Sequence, residues 1–240
     1  MNIPTHTKSQ EIFSAFLKDG VTVAEDFFTD GEVTIMRDEL MPHYDKMKDG
    51  DLMVHRGKTE EQGYPFGKMI RITDKHFDEF KMLHAVFNHN WFHRFTDSFF
   101  GQPNKKNLQT FCPYEYLTPD KASGTTRNSH PHVDPYFALK YFIYLSDTSK
   151  SNGAFKALKG SHLAGGNYRE SQSLEHMTKD GYKDLDGAFK ALNATEEDME
   201  YIEAPAGSLI IVNTDALHAG GTLEKEGESR MTIMNHNRKY

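Results

Sequence analysis

Cysteine is nearly absent from this chain of 240 residues, in which Cys112 is the only one. A single cysteine excludes an internal disulfide and fits a reducing compartment. Cys112 lies in the apolar stretch LQTFCPYEYL, where the expected role is a small buried hydrophobe rather than a nucleophile.

Long hydrophobic runs are also missing. No stretch approaches the roughly 20 apolar residues that a membrane span requires, and the opening MNIPTHTKSQEIF does not have the pattern of a secretory signal. The formal net charge of −7 argues against a broad nucleic-acid-binding surface. We therefore expect a cytoplasmic protein, monomeric or homodimeric, with neither a membrane nor a nucleic-acid partner.

The length predicts one domain over residues 1–240, without internal repeats. The first part, 1–100, reads as a mostly helical layer. Helical spacing covers residues 8–19, where Gly20 is a plausible stop, and continues in a helix that begins near a possible Asp30 cap. A short strand lies between these two helices, and residues 74–99 read as a helix broken near Asn88 to Asn90.

The character of the chain then changes to β-like runs separated by turn residues, over residues 105–240. Residues 163–200 interrupt the runs with a polar segment that we expect to be helical and to act as a lid. The pattern predicts an N-terminal helical layer over a mainly antiparallel β core.

One strand opens with metal-capable side chains, in SHPHVDPYFALKYFIYL. Motif matches carry a chance background, here about one His-x-Asp pair. The sequence has three such pairs: His43/Asp45, His76/Asp78 and His132/Asp134. The first two lie in helical stretches, where positions two apart point to different faces. The third abuts a strand pattern, where the same spacing aligns the two side chains.

Two histidines and a carboxylate on one face, with other positions open, suit non-haem Fe(II). The third ligand must come from elsewhere in the chain. His176 lies in the charged insertion and His236 near the end of the sequence. His162 follows a strand in LKGSH, and His218 closes PAGSLIIVNTDALHAGG. The pattern leaves both of the last two open, with a modest preference for His218.

The order of these pieces resembles the phytanoyl-CoA dioxygenase family of Fe(II)- and 2-oxoglutarate-dependent oxygenases. The resemblance rests on the His132/Asp134 pair, SNGAFKALKGSH, PAGSLIIVNTDALHAGG and Arg230 in SRMTIMNHN. It implies a mainly β fold with flanking helices: a double-stranded β-helix (jelly-roll, cupin-like) core with an N-terminal helical layer.

The resemblance also implies the roles of individual residues. His132, Asp134 and His218 correspond to the iron ligands. Arg230, 12 positions after His218, corresponds to the arginine that binds the far carboxylate of 2-oxoglutarate, and a guanidinium suits this task because it offers a planar, permanently charged fork. Thr232 shares the face of Arg230 in a regular strand and could donate to the same carboxylate.

The chain departs from the family pattern at Gly220, where relatives often carry a serine that helps to hold 2-oxoglutarate. The candidates to replace that serine are Thr222, Thr232, Lys140, Gln109 and Tyr114. Because the carboxylate ligand Asp134 is present, the halogenating activity of some relatives is not expected.

The implied cofactors are Fe(II), 2-oxoglutarate and O2. We expect hydroxylation of an unactivated C–H bond in a small, anionic or amino-acid-like metabolite, with release of succinate and CO2. Arg71, Arg127 and Lys140 are candidate anchors for its anionic group. Two alternatives remain open: a non-catalytic jelly-roll protein that binds metal and 2-oxoglutarate, and a metal-dependent isomerase.

Overall fold

The computed structural model describes residues 1–55, 58–61, 67–73, 77–104, 109–116, 129–173, 185–224 and 227–238. Within these ranges no helix is both long enough and apolar enough to cross a membrane.

Two sheets form the body of the protein. The described residues form eleven strands, in chain order β1 Val21–Ala24, β2 Asp51–His55, β3 Lys58–Glu61, β4 Lys68–Ile72, β5 Thr110–Tyr116, β6 Ala138–Tyr144, β7 Lys156–Ala157, β8 Glu200–Tyr201, β9 Leu209–Asn213, β10 His218–Ala219 and β11 Ser229–Arg238. The larger sheet has eight strands in the order β1-β9-β6-β11-β5-β4-β2-β3, and the smaller has three in the order β10-β7-β8. Apart from the parallel pair β2 and β4, the paired strands run antiparallel, as the pattern predicts.

Helices cover one face of the larger sheet. The described α-helices are α1 His6–Asp19, α2 Asp30–Tyr44, α3 Lys81–Phe87, α4 Asn90–Phe100, α5 His162–Ser171 and α6 Leu185–Leu192, with 3₁₀ turns at Phe77–Glu79 and Glu196–Asp198. Apolar side chains of α1 to α4 pack in one core with side chains of β4, β5, β6, β9 and β11. Cys112 lies in this core, and burial raises the pKa of its thiol, as expected for a structural cysteine.

Local signals account for the helix ends. Gly20 ends α1 with a positive φ of 71°, a conformation that glycine adopts at little cost. The cap of α2 is Thr29 rather than the predicted Asp30, because Thr29 and Glu32 form a reciprocal capping box. The predicted helix over 74–99 is divided between α3 and α4, and the predicted break near Asn88 is confirmed.

Strands β2 to β4, within residues 51–72, were not predicted. They form the edge of the larger sheet beyond β5. Each of these strands has only four or five residues, and β3 consists mainly of charged residues, so the sequence of this segment gives little local signal.

The alternation along β11 decides which side chains reach the interior. Met231 and Ile233 face the helices and belong to the core on that side. The alternate residues Arg230, Thr232 and Met234 point the other way and line a cavity of about 210 Å³, together with Lys140 and other side chains of β6. The larger sheet therefore has an apolar core between it and the helices on one face, and the cavity on the other face.

Candidate metal centre

A backbone bridge joins the two histidines of the candidate centre. His132 and His218 exchange N–H···O hydrogen bonds of 2.9 Å in both directions. Directly opposed residues in an antiparallel bridge place their side chains on the same side, and the two ring centroids are 4.5 Å apart. This contact brings His218 beside His132, whereas His162 begins α5 with its ring beside Gly20.

Asp134 completes the cluster. Its Oδ1 lies 3.5 Å from Nε2 of His132 and 3.6 Å from Nε2 of His218, and the three ligand atoms lie within 4.8 Å of one another. Ligands at right angles with bonds of about 2.1 Å are separated by about 3 Å. A small contraction would therefore let the three side chains hold one metal ion on one face and leave its other positions open.

The segment that carries the first two ligands is extended but not a regular strand. Strand β6 begins only at Ala138, whereas His132 lies in the isolated bridge and the backbone N–H of Asp134 donates to Thr214 at 3.1 Å. His132 and Asp134 share one side, as the strand spacing predicts, although this segment pairs with His218 and Thr214 and not with a long strand.

The orientation of both histidine rings suits metal binding. Nδ1 of His132 lies 2.7 Å from the carbonyl of His130, and Nδ1 of His218 lies 2.8 Å from the carbonyl of Ala216. With Nδ1–H donating to a carbonyl, Nε2 keeps its lone pair for a metal. Burial, followed by the nearby Lys140, holds the pKa of His218 well below its usual value, so its ring is neutral.

Lys140 lies against the ligands. Its ammonium donates to Oδ2 of Asp134 at 2.7 Å and lies 3.3 Å from Nε2 of His218. Burial opposes ionisation of Asp134, but the positive charge of Lys140 holds the pKa of this carboxyl well below its usual value. Oδ2 is therefore occupied by Lys140, while Oδ1 faces the two histidines.

Arg230 lies in the same cavity but is paired with a carboxylate. Its Nε donates to Oε2 of Glu115 at 2.8 Å, and its Nη2 contacts the same oxygen. The two residues are register partners on neighbouring strands β11 and β5. Sequence reasoning missed Glu115, although its alternation with Pro113 in PYEY places both on the cavity side.

The turn around SNGAF is built against Arg230. Gly153 has φ of 88°, and a Cβ there would lie 3.0 Å from Nη1 of Arg230. The preceding Asn152 closes the turn, since its amide donates to Asp147 at 2.8 Å and accepts from the N–H of Ser149 at 2.7 Å. The Asn-Gly pair thus makes room for the guanidinium.

Of the candidates to replace the serine at Gly220, the structure places Thr232 and Lys140 on the cavity wall with Gly220 itself. Tyr114 packs on Tyr44 on the helical side, with ring centroids 5.5 Å apart. The side-chain amide of Gln109 lies 2.7 and 3.2 Å from the guanidinium nitrogens of Arg71. Thr222 is not among the described residues that line the cavity.

The remaining histidine candidates lie elsewhere or outside the described residues. His43 belongs to α2 and its ring packs on Phe80 at 4.9 Å, and Asp78 is exposed. His76, His176 and Arg127 lie outside the described residues.

The start of the predicted lid is anchored to the site. In α5, Arg169 binds Asp215 with two hydrogen bonds of 2.7 and 3.2 Å. A Cβ on Gly165 would lie 1.9 Å from the carbonyl oxygen of Asp215, so the helix contacts the turn before His218 closely. Residues 174–184 of the same insertion lie outside the described residues.

Comparison with known proteins gives one family. Residues 16–231 match the profile of phytanoyl-CoA dioxygenase (PhyH). The chain is also 22% identical over 171 residues to the multifunctional dioxygenase PrhA of Penicillium brasilianum. The match covers 67% of this chain and 54% of that protein, so the chain spans about half the length of this curated relative.

Solved structures give the fold. The epimerase SnoN from nogalamycin biosynthesis, solved with Fe³⁺, α-ketoglutarate and nogalamycin RO, superposes with a TM-score of 0.68 at 15% identity, covering 98% of this chain and 85% of that one. HygX of Streptomyces hygroscopicus, solved with nickel, 2-oxoglutarate and hygromycin B, gives 0.60 at 16% identity, covering 96% and 87%. The prediction of a mainly β, jelly-roll fold with flanking helices is confirmed.

Proposed function

Because the chain belongs to the phytanoyl-CoA dioxygenase family, we propose that it hydroxylates an unactivated C–H bond of a small, anionic or amino-acid-like metabolite and releases succinate and CO2. The family uses Fe(II), 2-oxoglutarate and O2. The observation that carries the proposal is the buried cluster of His132, Asp134 and His218, whose ligand atoms converge within 4.8 Å.

In this proposal the three side chains hold Fe(II) through Nε2, Oδ1 and Nε2. Bound together, Fe(II), 2-oxoglutarate and O2 supply an oxidant strong enough for a C–H bond. The protein fixes the ligands: backbone carbonyls set both imidazole tautomers, and Lys140 holds the second oxygen of Asp134. Outer contacts of this kind orient ligands and tune the metal.

The charges of the four buried side chains around the proposed metal and Arg230 support a dianionic cosubstrate. Lys140 and Arg230 offset Asp134 and Glu115, so the four buried side chains are together neutral. The two positive charges of Fe(II) would then be cancelled by the two negative charges of 2-oxoglutarate. Buried charges are costly unless they are balanced, and this balance depends on Lys140. We therefore assign Arg230 and Thr232 to the far carboxylate, and Lys140 to the neutralisation of the site.

The walls of the cavity favour a small substrate. Phe142, Phe155 and Met234 line it beside the ligands, which excludes water from the reacting bond. The volume of about 210 Å³ is below the roughly 300–1,000 Å³ of sites for drug-sized ligands. The expectations of a cytoplasmic monomer or homodimer, without nucleic-acid or membrane partners, stay predictions.

The first test is an anaerobic titration of the metal-free protein with Fe(II) and 2-oxoglutarate, followed by the visible charge-transfer band of the chelated keto acid. We expect the band in the unmodified protein and its loss in His132→Ala, Asp134→Ala and His218→Ala. His43→Ala, from a His-x-Asp pair outside the cluster, is the matched control and should keep the band. Absence of the band in the unmodified protein would refute the proposed site.

The second test separates hydroxylation from the alternatives. Metabolites are screened for their ability to stimulate succinate release, and the mass of each product is determined by mass spectrometry. A product heavier by one oxygen supports hydroxylation. Succinate release with an isomeric product would favour an isomerase or epimerase. A band without any succinate release would favour a binding protein without turnover.

A further inference from the structure

The cavity has a second polar end that the metal centre and Arg230 leave unexplained. The cavity-facing side chains of β11 run from Arg230 to Arg238, a backbone span of about 26 Å at the rise of an extended strand. His236 is the register partner of Lys140, which contacts Asp134. His236 therefore lies level with Lys140, and Arg238 lies farther along β11, on the side of Lys140 away from Arg230.

His236 presents an unused polar atom there. Its Nε2 is buried without a hydrogen-bond partner, and its ring packs on Phe111 with centroids 5.3 Å apart. Burial, followed by Lys140, lowers its pKa to about 3, so the ring is neutral at physiological pH. An unsatisfied buried polar group costs free energy, and a ligand that reaches Nε2 would remove this cost.

Arg238 supplies a charge next to this atom. Its guanidinium lies over the ring of Tyr136, 4.6 Å from the centroid, and both residues line the cavity. Within the described part of the chain, no carboxylate forms an ion pair with Arg238. The other arginines near the site differ in this respect, since Arg230 binds Glu115 and Arg169 binds Asp215.

We propose that His236 and Arg238 form a second anion subsite, which binds a carboxylate of the primary substrate and directs its reactive C–H bond toward the metal ligands. This inference rests on the proposed function and names the substrate class more narrowly. The guanidinium fork can pair with either anion, but a singly charged carboxylate fits better than a phosphate, because the neutral imidazole adds a hydrogen bond and no second positive charge. Tyr136 holds the guanidinium by its ring face, which leaves the edge for the ligand.

The test is equilibrium binding by calorimetry to the protein loaded with Zn(II) and 2-oxoglutarate, which does not turn over. The probes are the common L-amino acids and short hydroxy acids, each paired with its primary amide. We expect at least one acid to bind at least tenfold more tightly than its amide. Arg238→Gln should abolish this preference and Arg238→Lys should retain part of it. Arg94→Gln removes an exposed arginine of α4 as the matched control and should retain all of it.

The subsite would be overturned if acids and amides bind equally well to the unmodified protein, or if none of the acids binds. It would also be overturned if the preference for the acid survives in Arg238→Gln. His236→Phe provides a second check. It should lower the affinity for the acid, while circular dichroism shows that the variant is still folded. Failure of the proposed function is recognised separately, because the Fe(II)–2-oxoglutarate band would then be absent from the unmodified protein whatever the probes do.

Discussion

Lys140 donates to Oδ2 of Asp134 at 2.7 Å, whereas Oδ1 of the same carboxylate faces His132 and His218. The lysine therefore engages one oxygen of the carboxylate and leaves the other for the proposed metal. It also places a positive charge beside the ligands, which balances the ligand charge in the absence of a metal ion. In the proposed centre, Lys140 would support a metal ligand without being one itself.

Replacement of Lys140 should affect the metal-free protein most. Lys140→Met leaves Asp134 buried without a cation, which costs about 3 kcal/mol for a broken buried pair. Loading with Co(II) supplies the missing charge, so the loss of Tm should be large in EDTA and small with metal. Lys140→Arg, which keeps the charge, and Lys68→Met, which removes a lysine outside the cavity, are the controls. Equal losses of Tm in both states would contradict this role.

Replacement of Glu115 should make stability depend more strongly on 2-oxoglutarate. Glu115→Gln leaves the charge of Arg230 without its carboxylate, at a cost of about 3 kcal/mol. The far carboxylate of 2-oxoglutarate would restore a counter-charge, so the increase in Tm on adding 2-oxoglutarate to metal-loaded protein should exceed that of the unmodified protein. Glu196→Gln, from the Lys156 ion pair outside the cavity, should show the unmodified increase. A smaller increase in Glu115→Gln would place 2-oxoglutarate away from Arg230.

Two glycines offer a matched test of the space around Arg230. Gly153 and Gly160 have φ of 88° and 77°, but a Cβ on Gly153 meets Arg230 whereas a Cβ on Gly160 meets nothing within 4 Å. Both substitutions to alanine should cost about 1–2 kcal/mol for the left-handed backbone, measured by urea unfolding. Only Gly153→Ala should also weaken 2-oxoglutarate binding, by about tenfold. Equal affinities in the two variants would show that the guanidinium tolerates displacement.

His236 should make the metal-free protein less stable as the pH falls. Its pKa is about 3 in the folded protein and about 6.5 in an unfolded chain. Between these values the unfolded state binds the proton first, so stability is full above about pH 6.5 and declines toward pH 3, by at most about 1.4 kcal/mol per pH unit. Urea unfolding of His236→Gln should show a flatter decline, whereas His6→Gln, on the exposed start of α1, should follow the unmodified protein. Parallel curves for His236→Gln and the unmodified protein would contradict the neutral, buried ring.

The sequence determined the parts of this protein whose causes are local. The stop at Gly20, the break near Asn88 and the apolar strands of the β core all follow from residues a few positions apart. The His132/Asp134 pair belongs to the same group, because two ligands on an extended segment need only their spacing. Strands β2 to β4 lacked such a signal, since each has only four or five residues and β3 consists mainly of charged residues.

Tertiary structure decided the partners of these residues. The bridge from His132 to His218 joins positions 86 apart, and the pair of Arg230 with Glu115 joins positions 115 apart. Periodicity shows which face a side chain occupies, but the strand order and register decide what lies opposite. For that reason the sequence left His162 and His218 both open until the family resemblance was considered, and gave no sign of Glu115. The contact of Lys140 with Asp134 likewise appears only in the folded chain.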